Sequence, residues 1–134
     1  MEPFLKRLAQ GEVLLADGAM GTMLMQRGLK PGACPEALVL DNPSVLKDIA
    51  RAYLDAGADI VQTDTFGGSP LKLAEYGLAD RAEDINRRAA EIALAVVEPD
   101  GIGAVVGEHG VGVAIAVQVS QDHRRAECLA QGLA

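Results

Sequence analysis

The spacing of apolar and polar positions changes period several times along the chain. Phe4, Leu5 and Leu8 fall on one side of a short opening helix that Gly11 would end. Val13 to Ala16 then form a compact apolar run, the pattern of a buried strand, which stops on Asp17 before Gly18-Ala19-Met20-Gly21-Thr22. "MGTMLMQRG" reads as helix or turn, and Gly28, Pro31, Gly32 and Pro35 make a loop of the next stretch. Val45, Ile49, Tyr53 and Ala56 recur at helical spacing, with Asn42 as N-cap, Pro43 at the first helical position and Gly57 as the stop. "ADIVQTDTF" predicts a strand ending near Asp64, after which Gly67, Gly68, Ser69 and Pro70 open a short helix that closes at Gly77. A longer helix is predicted from about Asp80 to Val97, with Asp80 and Glu83 as a capping box. Ile85, Ala89, Ile92 and Val96 form its buried stripe, and Pro99, Asp100 and Gly101 end it. "GIGAVV" predicts a third strand.

Helices alternating with apolar strands imply an α/β fold, with a parallel sheet joined by right-handed crossovers and strands buried on both faces. Ligands in such folds sit at the carboxyl ends of the strands. Asp17 and Asp64 each fall at such an end, followed by small residues that let a ligand approach the backbone. Asp17 could bind a cation or an amine while the N–H groups of Gly18 to Gly21 hold a carboxylate. The alternative for both acids is a plain helix cap.

Composition narrows the choices. At 134 residues the chain is one domain's worth, with 49% hydrophobic residues, 3% aromatic and a formal charge of −7. That charge argues against a nucleic-acid surface, which needs clustered Lys and Arg. Arg87-Arg88 and Arg124-Arg125 are read as solvated helix faces. Cys34 and Cys128 are too few for a disulfide framework, and the charged N-terminus does not read as a signal peptide. The longest apolar run, Val111 to Val119, is shorter than the roughly twenty residues a membrane-spanning helix needs. A soluble cytoplasmic protein is the expectation.

Other chemistry is sparse. "DGIGAVVGEHGVG" is glycine-rich, but its glycines precede a strand instead of joining a strand to a helix, so it is no dinucleotide fingerprint. His109 and His123 show no metal-ligand spacing, and neither cysteine has a paired ligand nearby. Met20, Met23 and Met25 read as packing.

Two motifs go further. "LLADGAMGTMLMQRG" and "AGADIVQTDTFGGSPLKLAEYGL" closely resemble the homocysteine S-methyltransferase family, which includes the homocysteine-binding domain of cobalamin-dependent methionine synthase. "PEALVLDNPSVLKDIARAYLDAGADI" between them and "EDINRRAAEIA" beyond share the resemblance, which spans about residues 13–97. It implies the N-terminal part of a (β/α)₈ barrel that transfers a methyl group to homocysteine to give methionine. It also implies that Asp17 and the backbone of Gly18, Ala19 and Met20 bind the ammonium and carboxylate of homocysteine. Asp64, Thr65 and Phe66 match the family's second-strand motif at the same mouth, with Asp64 where many members carry Asn.

The resemblance further implies zinc held by three cysteines on late strands, which turns the homocysteine sulfur into a competent thiolate. The methyl donor would be methylcobalamin, or a folate-linked, sulfonium or ammonium compound, presented by a corrinoid or folate domain or protein. The family's Cys-Cys pair is missing here, and Cys34 and Cys128 do not match it. A full barrel takes about 250 residues, so the expectation is half a barrel, a truncated member with a reading-frame change near residue 100. On that reading residues 101–134 are a divergent tail, the isolated chain is inactive, and its open edges favour self-association. The alternatives are a non-catalytic α/β binding module, or a fragment completed by another chain.

Overall fold

The computed structural model describes residues 2–97, 104–108 and 111–117. Helix α1 (Glu2–Ala9) is followed by α2 (Met20–Gln26), a 3₁₀ turn over Pro35–Ala37, α3 (Leu38–Asp41) and α4 (Pro43–Asp55). Strand β1 (Ile60–Gln62), α5 (Pro70–Leu73), α6 (Ala82–Val97), β2 (Ala104–Glu108) and β3 (Val111–Val117) complete the order, with 3₁₀ turns over Ala74–Tyr76 and Ala79–Arg81.

Side-chain burial follows from helical periodicity. On α4 the buried residues are Leu46, Ile49 and Ala50. The stripe is therefore turned slightly from the expected one: Val45 and Tyr53 pack at its edge and Ala56 is exposed. On α6, Ile85, Ala89 and Val96 are buried as expected, joined by Ala82, Ala93 and Val97, while Ile92 lies at the margin. Leu24, Val39, Leu46, Ile49, Leu73 and Ile85 form one apolar cluster, to which Met20 and Met23 add their thioether chains; Met25 is exposed. A second cluster joins Ala50 of α4, Val61 of β1, and Val96 and Val97 of α6. The two clusters hold α4 and α6 together and seat β1.

Chain reversals match expectation better than caps do. Gly57 and Gly77 close their helices at φ +98° and +71°, in the left-handed region that a Cβ disfavours. Asn42 is the N-cap residue of α4 and Pro43 opens the helix, as expected, but the Asn42 side chain makes no capping bond, its Oδ1 accepting instead from the Ser44 hydroxyl at 2.7 Å. The capping box at Asp80 is overturned: a 3₁₀ turn occupies Ala79–Arg81, and α6 begins at Ala82. Ser69 does cap α5, accepting from the Lys72 N–H at 3.2 Å. Arg87 and Arg88 are exposed and ion-paired, Arg87 with Asp84 and Glu91, Arg88 with Asp84, as a solvated face requires.

The sheet corrects the parallel expectation. The first predicted strand survives as a single parallel bridge, Ala16 to Ile60, with Ile60 N donating to the Leu15 carbonyl at 3.0 Å and Asp17 N to the Ile60 carbonyl at 2.9 Å. Val13 is 77% exposed and Leu15 is also open, so this run is not buried on both faces. The described sheet has three strands in the order β1-β3-β2, and β3 runs antiparallel to both neighbours. Only two residues separate β2 from β3, too few for the crossover that a parallel pair needs, which accounts for their antiparallel pairing. Of the third strand, expected at 101–106, the described part is Ala104–Glu108, which pairs with β3. His109, His123, Arg124, Arg125 and Cys128 lie outside the described residues.

Candidate functional site

The parallel bridge brings the two acids picked out by sequence to neighbouring strand ends. Asp17 closes the first strand segment, and Asp64 follows β1 by two residues. Both are buried, at 9% and 8% exposure.

Asp17 does not cap the helix that comes after it. Helix α2 has Ala19 as its N-cap residue and no side-chain capping bond. The Asp17 carboxylate turns across to β1, where Oδ2 accepts from the Gln62 N–H at 3.0 Å. Its other oxygen, Oδ1, is buried with no hydrogen-bond partner in the described structure. Burial raises its proton affinity above the usual carboxylate range, against the pull of the Gln62 N–H.

The Gly18–Met20 turn is conformationally unusual. Ala19 adopts φ +48° and ψ +29°, a left-handed conformation that costs a residue with a Cβ roughly 1–2 kcal/mol. Met23 N donates to the Ala19 carbonyl at 3.0 Å, the first bond of the helix. Gly18 and Ala19 are solvent-accessible, and Met20 packs back onto the core.

Asp64 is the centre of a three-residue turn in which Thr65 N donates to the Thr63 carbonyl at 2.9 Å. The Thr63 and Thr65 hydroxyls are 2.8 Å apart and share a hydrogen bond. Asp64 Oδ2 is buried without a partner, and its pKa is pushed up to about 7, by burial first and by the charge of Glu36 second. Thr65 is buried with Asp64, whereas the Phe66 ring is 98% exposed and stands outside this buried set.

Two further residues belong to the same corner, and the sequence reading singled out neither, although both fall inside family-like segments. Glu36 is buried, and its Oε1 accepts from the Gly67 N–H at 2.5 Å. Asn86 of α6 donates to the Gly68 carbonyl at 2.7 Å. The signal that could have pointed to them is the Gly67-Gly68 pair itself, since adjacent glycines after a strand often mark a close approach by another group. The basic Arg7 is likewise silent in the sequence: it pairs with the buried Asp59, whose second oxygen accepts from the Leu15 N–H at 2.9 Å.

The described residues do not fit the zinc that the resemblance implies. Among them no three His, Cys, Asp or Glu side chains converge on one point. Cys34 is buried, its thiol pushed up by burial, and it donates to Glu36 Oε2 at 3.4 Å. Also among the described residues, no helix is long and apolar enough to cross a membrane.

Two buried carboxylates with open oxygens, set at adjacent strand ends beside a small-residue turn, can accept a cationic N–H donor. Comparison with known proteins agrees with this corner's motifs. The family model for homocysteine S-methyltransferases matches residues 14–128, beyond the 13–97 span carried by the motifs. Methionine synthase from Mycobacterium leprae is 40% identical over 120 residues, covering 81% of this chain and 10% of that protein. Its counterpart from Mycobacterium tuberculosis is 39% identical over 112 residues, covering 75% of this chain and 9% of that protein. Crystal structures of the homocysteine methyltransferase MmuM from Escherichia coli superpose on 69% of the chain and 33% of theirs. The metallated form gives a TM-score of 0.60 at 26% identity and the oxidized form 0.61 at 27%. The chain thus spans about a tenth of the curated relatives and a third of the solved ones. With matched sequence running through both strand-end motifs and on to residue 128, the chain belongs to the homocysteine S-methyltransferase family.

Proposed function

We propose that this chain provides the amino-acid-binding corner of a homocysteine methyltransferase with the N-terminal part of a (β/α)₈ barrel. The open Oδ1 of buried Asp17 carries this reading. A buried carboxylate oxygen without a donor costs stability, and an ammonium N–H supplied by the substrate removes that cost. Asp17 accepts from the homocysteine ammonium, and the backbone N–H groups of Gly18, Ala19 and Met20 face its carboxylate. Asp64 contributes a second acceptor, Thr65 braces it, and exposed Phe66 is free to cover the bound side chain.

The reaction forms a bond between the homocysteine sulfur and a methyl carbon as the donor's bond to that carbon breaks, and the thiol proton is lost. This chain's residues hold the acceptor's amino-acid end so that its sulfur is presented in a fixed direction. The donor, methylcobalamin or a folate-linked compound, comes from a corrinoid or folate domain or protein.

The test is calorimetric titration of the chain with homocysteine, beside Asp17→Asn. Binding that weakens at least ~10-fold in the variant supports the reading; equal binding by both proteins, or none by either, overturns it.

A further inference from the structure

The Thr65–Gly68 turn is held by two side chains from elements far away in sequence. Glu36, in the 3₁₀ turn before α3, has 5% exposure and accepts the Gly67 N–H on Oε1 at 2.5 Å. The Cys34 thiol donates to Oε2 of the same carboxylate at 3.4 Å. Asn86, on α6, spends both N–H bonds of its amide on carbonyls, that of Gly68 at 2.7 Å and that of Ala82 in its own helix at 2.7 Å. One contact thus takes the turn's donor and the other its acceptor, at consecutive residues.

Both glycines are spatially required by this arrangement. A Cβ on Gly67 would lie 2.6 Å from Glu36 Oε1, and a Cβ on Gly68 would lie 2.5 Å from Asn86 Oδ1. Burying a carboxylate to hold one backbone N–H is an expensive way to shape a turn. The expense is understandable where the turn carries Asp64, whose buried carboxyl must be aimed.

We infer that Glu36 and Asn86 form a clamp on the Thr65–Gly68 turn and are positioning residues for Asp64 and Thr65 in the amino-acid site. The inference deepens the homocysteine reading and rests on it for the ligand, but the clamp itself can be read without any ligand.

Amide exchange at Gly67, followed by NMR on the whole chain, is measured together with homocysteine affinity. Glu36→Ala is expected to speed Gly67 exchange and weaken homocysteine binding, each about 10-fold or more, while the Leu24 and Ile85 amides stay protected. Glu36→Gln, whose side-chain oxygen can still accept from Gly67, is expected to restore most of both. Should Glu36→Ala fail to fold, Asn86→Ala gives the second reading, through loss of binding with the Leu24 amide still protected. Unchanged Gly67 exchange in Glu36→Ala overturns the clamp, as does faster exchange with unaltered homocysteine affinity. If the wild-type chain binds no homocysteine, the proposed function falls, and the clamp is then upheld or overturned by Gly67 exchange alone.

Discussion

The Asp17 carboxylate accepts a hydrogen bond from the backbone N–H of Gln62 at 3.0 Å, across 45 residues of sequence. It is this cross-strand bond, not a helix cap, that turns Asp17 inward. One oxygen is occupied by β1 and the other is left open in a buried position. A single side chain thereby ties the two strand ends together and offers an acceptor between them.

Asp17→Asn keeps an oxygen for the Gln62 N–H, so its stability should stay within about 1 kcal/mol of wild type while homocysteine affinity falls. Asp17→Ala strands that N–H and should lose about 1–2 kcal/mol as well. Urea denaturation of both variants, set beside calorimetric binding, separates the structural part from the ligand part.

Asp64 gives the fold a pH dependence of definite sign. Its pKa of about 7 lies above the ordinary 3.8, so the folded state holds this proton more tightly than the unfolded state. Below about pH 4 the proton is bound in both the folded and the unfolded state, and the ionisation cost of burying this group is absent. As pH rises through about 7, stability on the order of a few kcal/mol is lost. Asp64→Asn should therefore be the more stable protein above neutrality and show a flatter stability profile between about pH 4 and 7. Homocysteine affinity should move the other way, rising as the carboxylate ionises. Denaturation midpoints and titrations across that range check both slopes.

Ala19→Gly relieves the left-handed backbone at φ +48°. The gain should be up to about 1 kcal/mol, offset in part by the larger entropy of an unfolded glycine. A rise of a few degrees in melting temperature is expected, and a fall would show that the Ala19 methyl makes a contact worth more than the strain.

Asp59 is the second long-range tie at the start of the sheet, bonded to Arg7 at 3.0 Å and to the Leu15 N–H at 2.9 Å. Asp59→Ala leaves Arg7 paired with Glu12 alone and takes the acceptor from the Leu15 N–H, and should cost about 1–3 kcal/mol, more than any exposed pair on α6. Chemical denaturation beside Asp84→Ala makes the comparison.

Ile85 is fully buried between α6 and the main apolar cluster. Ile85→Ala should cost about 2–5 kcal/mol by leaving a cavity the helix cannot close. Thermal melts read it directly, and an effect under about 1 kcal/mol would mean the cluster repacks.

Periodic and punctuated segments are legible locally. Helices α4 and α6, the strand at Ile60–Gln62 and the stops at Gly57 and Gly77 follow from spacing and backbone freedom within a few residues. The short helix α3 and the 3₁₀ turn at Pro35–Ala37 do not, because three or four residues are too few to show a period. The capping box at Asp80 fails, and Asn42 takes its N-cap position without the side-chain bond, for a related reason. A polar side chain near a helix start has several local partners, and Asn42 found the Ser44 hydroxyl.

The sequence by itself determined which residues could line a site: acids placed where apolar runs end, small residues after them, and motifs specific enough to mark the family. The tertiary structure decided which atoms are available. Hydrogen bonds that join Asp17 to Gln62, Glu36 to Gly67 and Asn86 to Gly68 span 45, 31 and 18 residues, distances over which no local pattern operates. The open oxygens of Asp17 and Asp64 are likewise properties of burial, which depends on what the rest of the fold places around them. The pairing of β3 with β1 was decided at the same level, since no local pattern links Ile115–Val117 to Ile60–Gln62.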